Sequence, residues 1–127
     1  VIFVDTNVFM YAVGREHPLR DRARRFFLQL VNHKEPSATS AEVMQELLHA
    51  YLPVGRLETL DAALLLVESS VAEIWPIEAE DVRTARLLVA RHPGLGARDL
   101  IHLACCRRRN ATEIQTFDRA LAKAFAD

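Results

Sequence analysis

The stretch that most limits what this chain can fold into is its first, Val1-Ile2-Phe3-Val4, followed at once by Asp5-Thr6-Asn7. Consecutive β-branched and aromatic residues without polar alternation read as a strand buried on both faces. Such a strand belongs to a parallel sheet with helices covering either side. Asp-Thr-Asn favours turns and helix N-caps, so the strand is expected to hand over directly to a helix. In open α/β sheets, ligands lie just beyond the carboxyl ends of the strands. Asp5 stands at that place.

A chain of 127 residues is expected to form one domain, residues 1–127, that removes roughly two thirds of its surface from water. Half of the residues are hydrophobic and 26% charged, a balance typical of globular proteins. The longest apolar runs, such as Ala62 to Val67, are too short to span a bilayer, so no membrane partner is expected. No charged n-region with a small-residue cleavage site precedes the fold, so no secretory signal is expected either. The sequence starts at Val1 rather than Met, and a few residues are expected to be missing ahead of it. Cys105 and Cys106 are adjacent within a helical pattern and read as small apolar residues of a reduced, cytoplasmic protein. A net charge of −1 and a pI near 6.6 argue against binding nucleic acid through bulk charge. A polyanionic partner would need local basic clusters or metal ions.

Taken in order, Asn7 to Val13 reads as a short helix ended by Gly14, and Pro18 suits the first turn of a second helix. Leu19, Ala23, Phe26, Phe27, Leu30 and Val31 carry that helix to about Asn32 at helical spacing, with Arg20, Arg22, Arg24 and Arg25 on the other face. Pro36-Ser37-Ala38 reads as a short second strand. A third helix runs from Thr39 or Ser40 to Tyr51, closed by Pro53 and Gly55. Leu57 to Glu68 is a strongly apolar fourth helix, and Val71 to Ile77 a third strand. Glu78 to His92 is a fifth helix, opened by acids and closed by Pro93-Gly94. Ala97 to Asn110 is a sixth, Glu113 to Thr116 a last strand and Arg119 to Phe125 a last helix. Alternation of strands and helices predicts a three-layer α/β fold.

Four acids stand out. Asp5 and Asp118 each follow a strand, where an N-cap would also explain them. Asp99 lies in the first turn of the sixth helix, where the helix dipole favours an acid in any case. In the third helix, Thr39-Ser40-Ala41-Glu42 matches a capping box, with Glu42 reaching back to the helix start. Advancing by about 100° per residue places Glu46 beside the sector of Val43, Met44, Leu47, Leu48 and Tyr51, and Glu42 nearly opposite its centre. Glu46 is therefore the expected ligand and Glu42 the cap. Carboxylates gathered at one sheet edge repel one another, and a divalent cation removes that conflict. An all-oxygen donor set selects Mg²⁺ or Mn²⁺ over Zn²⁺. None of the five histidines has metal-ligand spacing, and His102 reads as core-edge packing.

Carboxylate-held Mg²⁺ mostly serves phosphate chemistry, activating a water in line with a phosphodiester. No GxxxxGK[ST] loop, dinucleotide fingerprint or nucleophile elbow offers another chemistry. Arg15 with Arg20 to Arg25, and Arg107-Arg108-Arg109, are candidate grips for a nucleic-acid backbone.

In this order, Asp5-Thr6-Asn7, Glu46-Leu47-Leu48, Arg98 to Ala104 and Thr116-Phe117-Asp118 resemble the PIN-domain nucleases across essentially the whole chain. Among these the chain looks most like the VapC toxins, the ribonuclease halves of bacterial toxin–antitoxin pairs. The resemblance implies a short central parallel sheet flanked by helices, with Asp5, Glu46 and Asp99 as the central acidic triad. Asp118 would be the fourth acid, shared with or adjacent to a second metal. Thr6 and Thr116 would hydrogen-bond ligands or metal water. The implied activity is Mg²⁺- or Mn²⁺-dependent endonucleolytic hydrolysis of RNA, leaving a 5′-phosphate and a 3′-hydroxyl. The implied partners are a second copy of the chain and a VapB antitoxin whose C-terminal segment blocks the site. The near-neutral pI departs from the basic balance of an RNA binder. A catalytically silent PIN-fold interaction module is the alternative; it predicts loss of one or more acids, and none is lost. A receiver or haloacid-dehalogenase domain fits poorly, since Asn7 stands where the latter needs a second Asp and neither Lys34 nor Lys123 follows a strand. A flap-cleaving DNA nuclease usually carries extra acids and insertions for which this chain has little room.

Overall fold

The computed structural model describes residues 1–127. Strand β1 (Ile2–Val4) passes through Asp5 into α1 (Thr6–Val13), and α2 (Pro18–Asn32) follows. Then come β2 (Ser37–Ser40), α3 (Ala41–Tyr51), α4 (Leu57–Ser70), β3 (Glu73–Trp75), α5 (Ala79–Leu88), α6 (Ala97–Arg108), β4 (Glu113–Gln115) and α7 (Arg119–Ala126). The four strands are all parallel in the order β3-β2-β1-β4. Ile2 is in register with Ser37 on one side and Glu113 on the other. The chain steps outward from β1 to β3 and then returns to the opposite side of β1 for β4. Right-handed crossovers therefore put α1 to α4 on one face of the sheet and α5 and α6 on the other. The switch in direction falls between β1 and β4, and the crevice beyond their carboxyl ends is where such sheets bind ligands.

Phe3 and Val4 are wholly buried, as a strand covered on both faces requires. Phe3 stacks on Trp75 at 5.8 Å, and Phe9 meets Phe27 at 5.1 Å across the α1–α2 contact. A smaller core of Ala85, Leu88, Leu100, Leu103, Ala104 and Ala124 ties α5, α6 and α7 together. Strand β2 is four residues long, and all of Ser37, Ala38, Thr39 and Ser40 are buried. Its hydroxyls are tolerated there because each has a partner: Thr39 donates to the Val4 carbonyl at 2.8 Å, Ser37 Oγ accepts from Ala72 N–H and Ser40 Oγ from Val43 N–H.

The Ser40–Val43 bond corrects one expectation. Ser40 is the N-cap of α3 and Val43 sits where the capping box would need an acid, so Glu42 does not reach back to the helix start. Helix α5 is shorter than its pattern suggests, because beyond Leu88 the chain tightens into turns in which Arg91 and His92 N–H both reach the Leu88 carbonyl. Asp81 in α5 is wholly buried and is gripped by Arg108 of α6 through two bonds of 2.6 and 2.9 Å. Both cysteines are free and buried. No helix is long and apolar enough to cross a membrane.

Candidate active site

Asp5 leaves β1 at its carboxyl end and is only 4% exposed. It does cap α1, Oδ1 accepting from Thr6 N–H at 2.7 Å, and the same carboxylate faces inward, Oδ2 accepting from Thr116 Oγ1 at 2.7 Å. Asp5 is thus a cap whose second oxygen also ties α1 to the end of β4. Thr116 follows β4, so this bond crosses the switch point between the two strands. Thr116 Oγ1 also accepts from Asn7 Nδ2 at 3.3 Å and from Asp118 N–H at 3.0 Å, while Asn7 Oδ1 accepts from Phe117 N–H.

Glu46 projects from the second turn of α3 toward the same place. Thr6 Oγ1 donates to its Oε2 at 2.8 Å, and His102 Nε2 donates to its Oε1 at 2.6 Å. His102 is wholly buried, rests against Phe3 at 5.5 Å between ring centroids, and has Asp5 Oδ1 3.6 Å from the same Nε2. Asp5, Glu46 and His102 bring one ligand atom each within 4.8 Å of one another. Core packing, the expectation for His102, is correct but incomplete, because its polar edge belongs to the site. The missed signal is its spacing: His102 lies three residues after Asp99 on one helix, and such pairs share a face.

Asp99 and Asp118 stand outside that tight group. Asp118 caps α7, one oxygen accepting from Ala120 and Leu121 N–H at 2.9 and 3.1 Å. Asp99, in the first turn of α6, is half-buried and feels its neighbours: burial, then the charges of Asp5 and Asp118, push its carboxyl up to about 6. Glu42 lies at the rim with Arg98 3.8 Å away, and burial together with the charge of Glu46 raises its carboxyl.

Burial also raises Asp5, outweighing the favourable charge of His102 and the bond from Thr116. For Glu46, burial is outweighed by the hydrogen bond and charge of His102, which hold its carboxyl below the usual range. His102 responds in kind: burial alone would lower it, but the Glu46 bond and the surrounding carboxylates hold it above its ordinary value. No Lys or Arg forms an ion pair with Asp5, Glu46, Asp99 or Asp118. Four acids converging with so little compensating charge fit a divalent cation, and their carboxylate oxygens match a hard one.

The two basic clusters fare differently. Arg108 is taken by Asp81 and Glu78, and Arg109 lies over the Trp75 ring at 5.3 Å, so that cluster secures α6 instead of presenting a free basic face. In the other, Arg24 donates to the Ala12 carbonyl and Arg22 lies over the Phe117 ring at 5.4 Å.

The PIN domain profile matches residues 2–125. Ribonuclease VapC23 of Mycobacterium tuberculosis is 65% identical over 98% of this chain and 98% of its own length. Among solved structures, the chain resembles VapC20 of the same organism, described as a sarcin-ricin loop cleaving toxin, with a TM-score of 0.81 at 22% identity. That match covers 98% of this chain and 95% of the other. VapBC2 from Rickettsia felis, bound to a DNA fragment from its promoter, gives a TM-score of 0.71 at 23% identity over 92% of this chain and 87% of the other.

Proposed function

Because the chain belongs to the PIN-domain family, within its VapC branch, we propose that it is an endoribonuclease and the toxin half of a VapBC-type pair. The observation that carries this reading is the meeting of buried Asp5 with half-buried Glu46 at the sheet's switch point, in a chain alike over 98% of its length to a ribonuclease. Asp5, Glu46 and Asp99 would hold a Mg²⁺ or Mn²⁺ ion, with the free oxygen of Asp118 adjacent. A cation there would supply activation of a water and neutralisation of charge on the scissile phosphodiester.

The protein's own part is orientation. Thr6 N–H and the Thr116 hydroxyl each fix one oxygen of Asp5, and the Thr6 hydroxyl fixes one oxygen of Glu46. Both carboxylates are thus held in one orientation, and the remaining lone pairs of those oxygens would serve a ligand. His102 holds Glu46 from the buried side. The buried ring of Phe3 against His102 keeps water from that side and strengthens the charge interactions there.

Residues 1–127 would act as one domain, in the cytoplasm, where Cys105 and Cys106 stay reduced. The partner reading is a VapB-type antitoxin, supported by the likeness to VapC proteins and to a VapBC assembly. A groove of about 620 Å³ between α1, α2 and α4, with Leu28, Val31 and Leu65 exposed along it, offers apolar surface for an antitoxin helix. The chain would pair with a second copy, and gel filtration with light scattering checks that.

The test is incubation of purified protein with total RNA and Mg²⁺ or Mn²⁺, beside EDTA and Asp5→Asn controls. Discrete cuts carrying 5′-phosphates, absent from both controls, are the expected result. Absence of cleavage together with absence of Mn²⁺ binding would favour a silent scaffold.

A further inference from the structure

Beside the acidic centre lies a second cleft, of about 420 Å³, formed by α1, the α1–α2 turn and the α3–α4 connection. It is bordered by Asn7, Tyr11, Arg15, His17, Tyr51 and Arg56. Asn7 belongs to both places, since its amide also bonds Thr116 and Phe117. From the acidic centre a row of rings leads to this cleft. Phe117, between Thr116 and Asp118, meets Tyr11 edge-on at 5.5 Å, and Tyr11 lies 4.7 Å from His17. Arginines accompany the rings: Arg22 over Phe117, and Arg56 over Tyr51 at 5.6 Å. Arg15 and Arg56 are exposed and form no ion pair, and Glu16 is the single acid on the border.

Structural packing has no need of unpaired arginines gathered round an open cleft. Single-stranded nucleic acid does. Its bases stack on aromatic and guanidinium faces, and its phosphates take up arginine charge. The volume suits one nucleotide. We propose that this cleft is a nucleotide subsite, taking a base and its phosphate from a single-stranded RNA segment next to the bond cleaved at the Asp5 centre. The subsite rests on the ribonuclease reading above and states where that substrate lies. It also reconciles RNA binding with a chain of net charge −1, because the grip is local.

The test measures binding of a fluorescein-labelled, mixed-sequence single-stranded RNA by fluorescence anisotropy in EDTA, so that no turnover intervenes. The Arg15→Ala/Arg56→Ala protein is compared with the wild type and with Arg83→Ala/Arg86→Ala, which alters exposed residues of α5. The cleft variant should bind about tenfold more weakly, with a salt slope shallower by about 0.7 for the one phosphate the subsite holds. The α5 variant should match the wild type. With 4-thiouridine in the RNA, cross-links are expected on Tyr11, His17 or Tyr51. Equal binding by both variants, or no binding by the wild type, overturns the subsite. Cleavage of total RNA by the wild type is read separately. Cleavage with unchanged binding by the cleft variant removes the subsite and leaves the ribonuclease. Weakened binding without any cleavage supports the cleft and removes the ribonuclease.

Discussion

Replacing Asp5 by Asn keeps the bond from Thr6 N–H, since an amide oxygen accepts as a carboxylate oxygen does, but removes the charge. Metal-dependent cleavage should fall at least about 100-fold, while the melting temperature moves little because lost repulsion offsets the altered Thr116 contact. Glu46→Gln should lose activity to a similar degree, whereas Glu42→Gln should lose less than about fivefold, since Glu42 touches only Arg98. Equal losses in a side-by-side rate assay would undo that division. Asp99 gives a pH signature. Its carboxyl is raised to about 6, so its contribution favours folding below the ordinary carboxylate pKa and is lost as pH climbs toward 6. In EDTA, Asp99→Asn should leave stability near pH 4 almost unchanged and raise it at about pH 7.5 by roughly 1–2 kcal/mol, as urea titrations would read. At this scale the meeting of Asp5 and Glu46 was legible, because the chemistry of a cation site restricts it to few residue types. The role of His102 was not, since only the fold shows that the buried edge of α6 faces Glu46.

The α5–α6 pair depends on a buried charge. Asp81→Ala would leave the Arg108 guanidinium without its fork of bonds and should lower the melting temperature by roughly 5–10 °C. Asp81→Leu with Arg108→Met should recover most of that loss, which differential scanning calorimetry can follow, because two apolar residues leave no unpaired charge. Most elements could be read from the sequence, with their types and order intact, because apolar spacing carries them. Strand β2 was the hard one. Ser37-Ala38-Thr39-Ser40 has neither alternation nor an apolar run, and it is a strand because its neighbours supply partners for every hydroxyl. The start of α3 misled for a related reason: Thr39 and Ser40 are both good caps, and the extension of β2 through Ser40 decides between them.

For the whole molecule, the acidic centre stores repulsion that His102 relieves at Glu46 but not at Asp5 or Asp99. Mg²⁺ or Mn²⁺ should therefore raise the melting temperature of wild-type protein, by about 2.7 kcal/mol of stabilisation at a hundredfold excess over the dissociation constant, and Asp5→Asn should abolish most of the gain. The parallel sheet could be read from one apolar strand and the alternation of elements. Its order could not, because nothing local tells β4 to return past β1. That return has a consequence in time. The hydroxyl of Thr116 clasps Asp5, Asn7 and Asp118 together, so residues near the two ends of the chain must meet before the centre exists. A chain still emerging from the ribosome, its last strand unmade, carries Asp5 and Glu46 without the β4 side of the crevice. Under the ribonuclease reading proposed above, synthesis thus acts as a safety catch, since the centre that would attack RNA is not assembled until β4 has been made.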